Sequence, residues 1–265
     1  MGLIWRSLPT TQTELLLYIL QHGPSPVYGT HKILKRSQSS VQTAMTDLNN
    51  EGLVSLYCEE KSKKGGKKLI YGLTLPGFCY GFNLIAKSES MTYDQIEHLI
   101  NRWQHLCPEI LGNWDLLIEK EQDGCPSPDD FDEKNYDWQK KQLPYHVPNM
   151  KVKHWILFIA DICGQIAQDH LCCHGYWSRP LEELPTPEAM FIERASARAC
   201  EYALCGIDGR ADLGCPWNTD YLLCVFQKIP ALWNQIRQDL NRWKNMHEQS
   251  MLRIQQVLDK YDPSP

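Results

Sequence analysis

The stretch from Ser37 to Gly77 constrains the fold more than any other part of this chain of 265 residues. Val41, Ala44, Met45 and Leu48 recur at i, i+3, i+4 and i+7, which predicts an amphipathic helix over residues 39–51. Ser39 or Ser40 is expected to cap its start, and Gly52 to stop it. Leu53 to Tyr57 reads as a short strand and Lys68 to Thr74 as a second. Between them runs E-E-K-S-K-K-G-G-K, whose glycines suit the positive φ of a hairpin turn.

The segments before this stretch complete a unit. Leu15, Leu16, Ile19 and Leu20 mark a first helix from Thr10 to His22, with Thr11 or Thr13 as its expected cap and Gly23, Pro24 and Pro26 after it. A short second helix follows, capped by Thr30, with Ile33 and Leu34 expected to face inward. Three helices and a hairpin in this order make a winged helix-turn-helix. The motifs V-Y-G-T-H-K-I-L-K, S-S-V-Q-T-A-M-T-D-L-N-N-E-G-L-V and G-G-K-K-L-I-Y-G-L-T-L-P-G resemble winged-helix repressors of the PadR and MarR type over residues 10–82. The resemblance implies a DNA-binding domain in which residues 39–51 form the recognition helix and residues 59–68 the wing.

Charge supports an anionic partner for this part alone. Residues 1–75 hold nine Lys/Arg against five Asp/Glu, whereas the whole chain has a net charge of −5. The recognition helix has no exposed Lys or Arg and presents Gln42, Thr43, Thr46, Asp47 and Asn50. Glutamine and asparagine pair with adenine edges, and threonine can meet a thymine methyl, so selectivity is expected from Gln42, Thr43 and Thr46, beside Ser39 and Ser40. Phosphate contacts, which position without specifying, fall to Lys32, Lys35 and Arg36 and to the wing residues Lys61, Lys63, Lys64, Lys67 and Lys68. One such unit reads few base pairs, so a homodimer on double-stranded DNA is expected.

The remainder is expected to be all α, giving a mainly α protein with a DNA-binding domain at 1–87 and a helical dimerisation or ligand-sensing domain at 88–265. Thr92 with Gln95 forms a capping box before Ile96, Leu99, Ile100, Trp103 and Leu106. Pro108 opens a further helical segment, residues 121–148 read as a loop, and Lys151 to Leu171 reads as a helix with Trp155, Phe158, Ile159, Ile162 and Ile166 buried. Thr186 and Pro187 open another helix, and a short one is expected over Asp220–Gln227. The last helix, from Pro230 to Tyr261, carries Ile236, Leu240, Trp243, His247, Ile254, Val257 and Tyr261 at spacings of three and four, interrupted by Ser250. That stripe calls for a partner within the domain or on a second subunit.

Eleven cysteines without a secretion signal suggest reduced thiols in a cytoplasmic protein. His170, Cys172, Cys173 and His174 are the densest ligand-type cluster, where zinc or an iron–sulfur cluster could sit, although no C-x-x-C pair accompanies them. Plain packing of small buried thiols is the competing reading. Tryptophans such as Trp155, Trp177, Trp217 and Trp233 could line a pocket for a small-molecule effector, or could simply be core. No hydrolase, zincin or nucleotide-binding motif occurs, so no enzyme is expected, and no run of eighteen apolar residues marks a membrane span. Two alternatives to a transcription regulator remain: a winged helix that docks on transcription or replication proteins, and a metal- or redox-sensing protein.

Overall fold

A computed structural model describes residues 7–61, 66–86, 88, 91–118, 150–176, 186–205 and 226–261. Among these the protein is mainly helical with one small antiparallel sheet. The N-terminal part runs α1 (Thr10–His22), β1 (Ser25–Pro26), α2 (Val27–Ile33), α3 (Gln38–Asn50), β2 (Val54–Lys61), β3 (Lys67–Leu73) and α4 (Leu75–Ile85). Next come α5 (Tyr93–Trp103), two short 3-10 turns at Gln104–Leu106 and Leu111–Asn113, and α6 (Trp114–Ile118). Three long helices complete the chain, α7 (Met150–Tyr176), α8 (Pro187–Cys205) and α9 (Pro230–Tyr261). The expected loop at 121–148 and most of the expected helix at Asp220–Gln227 lie outside the described residues.

The apolar stripes do the folding. Leu15, Leu16, Ile19 and Leu20 of α1 are fully buried, as are Val41 and Leu48 of α3. With Phe78 and Phe82 of α4 they belong to one continuous core, in which α1 packs on both α3 and α4. The same core continues through α4 into α7, which buries Trp155, Phe158, Ile159, Ile162 and Ile166. Trp155, Phe158 and Phe226 form an aromatic cluster with centroids 5.4 to 5.6 Å apart. Helix α8 then packs against α7 and α9. Trp103, at the end of α5, donates its indole N–H to the Leu20 carbonyl at 2.9 Å, tying α5 to the end of α1.

Several local expectations hold. Thr92 and Gln95 make the full capping box of α5, and Ile96, Leu99, Ile100 and Trp103 are buried. The Thr186 hydroxyl accepts from the Ala189 N–H at the start of α8. Others are corrected. Helix α3 spans 38–50, and Ser37, rather than Ser39 or Ser40, caps it by accepting from the Ser40 N–H at 3.0 Å. Helix α1 has Pro9 at its N-cap with no side-chain cap, because the Thr13 hydroxyl donates instead to the Leu8 carbonyl.

Helix α2 is broken after one residue: Tyr28 is extended and Gly29 has φ 102°, so Thr30 reaches back to bond the Pro26 carbonyl at 2.5 Å. Lys35, with φ 53°, turns the chain sharply at the other end. So short a helix cannot bury both Ile33 and Leu34; Leu34 packs on the core while Ile33 is 60 % exposed.

The sheet order is β1-β3-β2, all antiparallel. Strand β2 extends to Lys61, four residues beyond the expected Tyr57, and pairs Val54 with Leu73 through Lys61 with Lys67, with an irregularity between Leu56 and Cys58. The glutamates expected in the turn are therefore strand residues.

Helix α9 has the expected bounds, and among the described side chains its stripe is covered near its start but not in its middle; Ile254, Val257 and Tyr261 have side chains outside the described ones. Ile236 is buried and Leu240 half-buried, whereas Trp243 is 48 % exposed and Met246 57 %.

Candidate nucleic-acid interface

Helix α3, the start of α2 and the inner side of the β2–β3 hairpin enclose an open cleft of about 850 Å³. Gln38, Gln42, Met45 and Thr46 line it from α3, and Lys61, Lys67, Lys68 and Leu69 from the hairpin. Pro26, Val27, Tyr28 and Tyr71 form the rest of an apolar floor beside Glu60. Tyr28, 65 % exposed, and Leu69 were not among the expected contacts. An apolar residue just before a helix-breaking glycine was the only sequence signal for Tyr28.

The outward face of α3 carries no cation. Ser39, Ser40, Gln42, Thr43 and Thr46 are all exposed. The hydroxyls of Ser39 and Ser40 lie 3.0 and 2.7 Å from that of Ser37, forming a serine cluster at the helix start. Thr46 donates its hydroxyl hydrogen to the Gln42 carbonyl at 3.0 Å, so outward it offers a methyl group and an acceptor oxygen. Asp47 is half-buried at the edge of this face, where Gln12 of α1 donates an amide N–H to its carboxylate at 3.0 Å.

The surrounding cations divide into paired and unpaired groups. Arg36 grips Glu14 with two bonds, Nε to Oε2 at 2.9 Å and Nη2 to Oε1 at 2.8 Å. That guanidinium hydrogen bond holds the Glu14 carboxyl below its ordinary value, against a smaller desolvation effect. On the hairpin, Lys67 meets Glu59 at 2.8 Å and Lys68 meets Glu60 at 2.9 Å. The register explains both: Glu60 is directly opposite Lys68, and Glu59 lies two residues along the facing strand from Lys61, the partner of Lys67, within diagonal reach of it. Lys32, Lys35 and Lys61 are exposed and have no ion pair among the described residues. Lys63 and Lys64 lie outside the described residues.

No family model, curated protein or solved structure matches this chain. Its chemistry must therefore be read from the side chains themselves.

In the other candidate cluster, only the side chain of His170 is among the described ones. His170 Nε2 lies 2.7 Å from the backbone carbonyl of Glu51, at the exit of α3. Cys172, Cys173 and His174 occupy the last turns of α7, and their side chains lie outside the described ones. Among the described residues no group of three or more His, Cys, Asp or Glu is arranged to hold a metal ion.

Cys79 of α4 and Cys163 of α7 are buried together in the core. Burial first, and then the hydrogen bond to Cys163, pushes the Cys79 thiol well above its ordinary value. Burial pushes Cys107 up to about 12. Such thiols are poor nucleophiles and metal ligands, since both roles need the thiolate. Trp155 is core and Trp233 half-buried, while Trp177 and Trp217 lie outside the described residues. Among the described residues no helix is long and apolar enough to cross a membrane.

Proposed function

We propose that this chain binds double-stranded DNA as a dimeric winged-helix transcription regulator, with α3 in the major groove and the β2–β3 hairpin as its wing on the backbone. The observation that carries this reading is the cleft itself. A polar, uncharged helix face borders an open groove whose far wall supplies three lysines, and Lys32 and Lys35 are exposed on and just after α2. Lysines on the edges suit phosphates, while Gln42, Thr43 and Thr46 suit adenine edges and thymine methyls. The middle of α9, where Trp243 and His247 of the stripe are exposed, is the surface that a second subunit would cover.

Fluorescence polarisation with duplex fragments tests the reading. Binding should prefer some sequences, and log K should fall linearly with log salt. Binding that is flat in salt and indifferent to sequence would end it.

One observation favours a second reading, a winged helix that docks on a protein. Arg36, Lys67 and Lys68 are neutralised within the chain, and Tyr28, Ile33, Leu56 and Tyr57 are exposed on the same part of the molecule. Salt separates the two, because an apolar docking surface keeps its affinity as ionic strength rises.

A further inference from the structure

The exit of α3 is held from two directions. The last carbonyls of a helix have no partner within it and must find one elsewhere. Here three consecutive carbonyls beyond Asn50 are all received. The Gly52 carbonyl accepts from the Thr74 hydroxyl at 2.6 Å, and the Leu53 carbonyl from the Thr74 N–H at 3.2 Å. Thr74 also caps α4, accepting from the Gly77 N–H at 3.3 Å. The Glu51 carbonyl lies 2.7 Å from Nε2 of His170, a residue 119 positions away on α7. A carbonyl can only accept, so this ring nitrogen carries the hydrogen. A donor there also faces the negative end of the α3 dipole.

His170 thus links α7 to the backbone of the helix that carries Gln42, Thr43 and Thr46. We propose that His170 is a positioning residue for α3, fixing the tilt of that helix against α7 so that its outward side chains meet base edges in register. The inference rests on the DNA-binding reading above. It makes the long helices part of the reading head, since whatever moves α7 moves the exit of α3.

The test uses the full chain with three variants. His170→Ala removes the donor. His170→Gln places an amide N–H at a similar reach, and His170→Asn keeps an amide that falls one bond short. Each is measured for affinity to a preferred duplex and to a scrambled one, and for hydrogen exchange of the backbone amides around residues 48–54. His170→Ala and His170→Asn should bind the preferred duplex roughly tenfold more weakly, the scale of one lost hydrogen bond. The scrambled duplex and the salt slope should be unchanged, because no phosphate contact is lost. Exchange at the α3 exit should speed up, and His170→Gln should restore both readouts.

An equal loss on both duplexes in His170→Asn, or no rescue by glutamine, would overturn the proposal, because a residue that merely packs gives that result. The exchange arm is independent of DNA. If the unaltered protein binds no duplex, the DNA-binding reading fails. If exchange at the α3 exit is unaltered in His170→Ala and His170→Asn, the anchor itself fails.

Discussion

Replacing both Glu59 and Glu60 by glutamine should tighten DNA binding rather than leave it unchanged. In the folded hairpin these carboxylates hold Lys67 at 2.8 Å and Lys68 at 2.9 Å, so two of the wing cations are already neutralised. The Lys67 side chain is 78 % exposed and Glu60 54 %, which places both pairs in water. Exposed pairs of this kind stabilise a fold by about 0.2–1 kcal/mol each, so the variant should remain folded. Each lysine freed to take a phosphate should steepen the slope of log K against log salt by about 0.9, or roughly 1.8 for two. At about 0.1 M salt that corresponds to a ceiling of roughly sixtyfold in affinity. Polarisation titrations of one duplex at several salt concentrations between about 50 and 200 mM would measure both quantities. If the double variant binds with the same slope and affinity as the parent, the hairpin does not lie on the phosphate backbone, and the wing assignment is refuted.

Other consequences are open to measurement. Gly77→Ala should be severely destabilising, by more than about 3 kcal/mol in denaturant titrations, because an added Cβ would overlap the Leu53 carbonyl, which is backbone and cannot swing away. Gln42→Arg should move the selected sequence from adenine toward guanine at one position, read by selection from duplex pools. The buried thiols predict a loss of stability at high pH. The unfolded state releases each thiol proton near the ordinary value of 9.0, whereas the folded Cys107 holds its own to about 12, and Cys79 is raised in the same direction. Their contribution is fully present below pH 9 and should be lost above it at about 1.4 kcal/mol per pH unit for each thiol, as measured by chemical denaturation across that range.

Much of the helical framework could be read from periodicity, because burial enforces it. Val41, Ala44, Met45 and Leu48 are all buried as their spacing requires, and so are Trp155, Phe158, Ile159, Ile162 and Ile166. The bounds of α9 and the capping box of α5 were also legible, since Pro230, Thr92 and Gln95 are strong local signals. The cap of α3 was expected at Ser39 or Ser40, and the geometry instead selects Ser37, whose hydroxyl is correctly placed for the Ser40 N–H.

The electrostatics of the candidate interface were much less legible. Ending β2 at Tyr57 put Glu59 and Glu60 in a turn, where they would not face lysines; the longer strand sets them against Lys67 and Lys68. Arg36 finds Glu14 across 22 positions, and His170 finds the Glu51 carbonyl across 119. Such partners are set by tertiary packing, and no local pattern encodes them. His170, a candidate metal ligand by its neighbours in sequence, sets its Nε2 against the carbonyl of a helix end in the fold, a partner that no local pattern announces.

Selection of bound duplexes from a random pool by the full chain, followed by titration of the winner against salt, tests the central claim most directly. The account predicts an enriched motif containing adenine–thymine pairs where α3 reads, and a negative log K slope that becomes shallower when Lys61 is replaced by glutamine. A pool that emerges unenriched, with binding that does not weaken as salt rises, would contradict it.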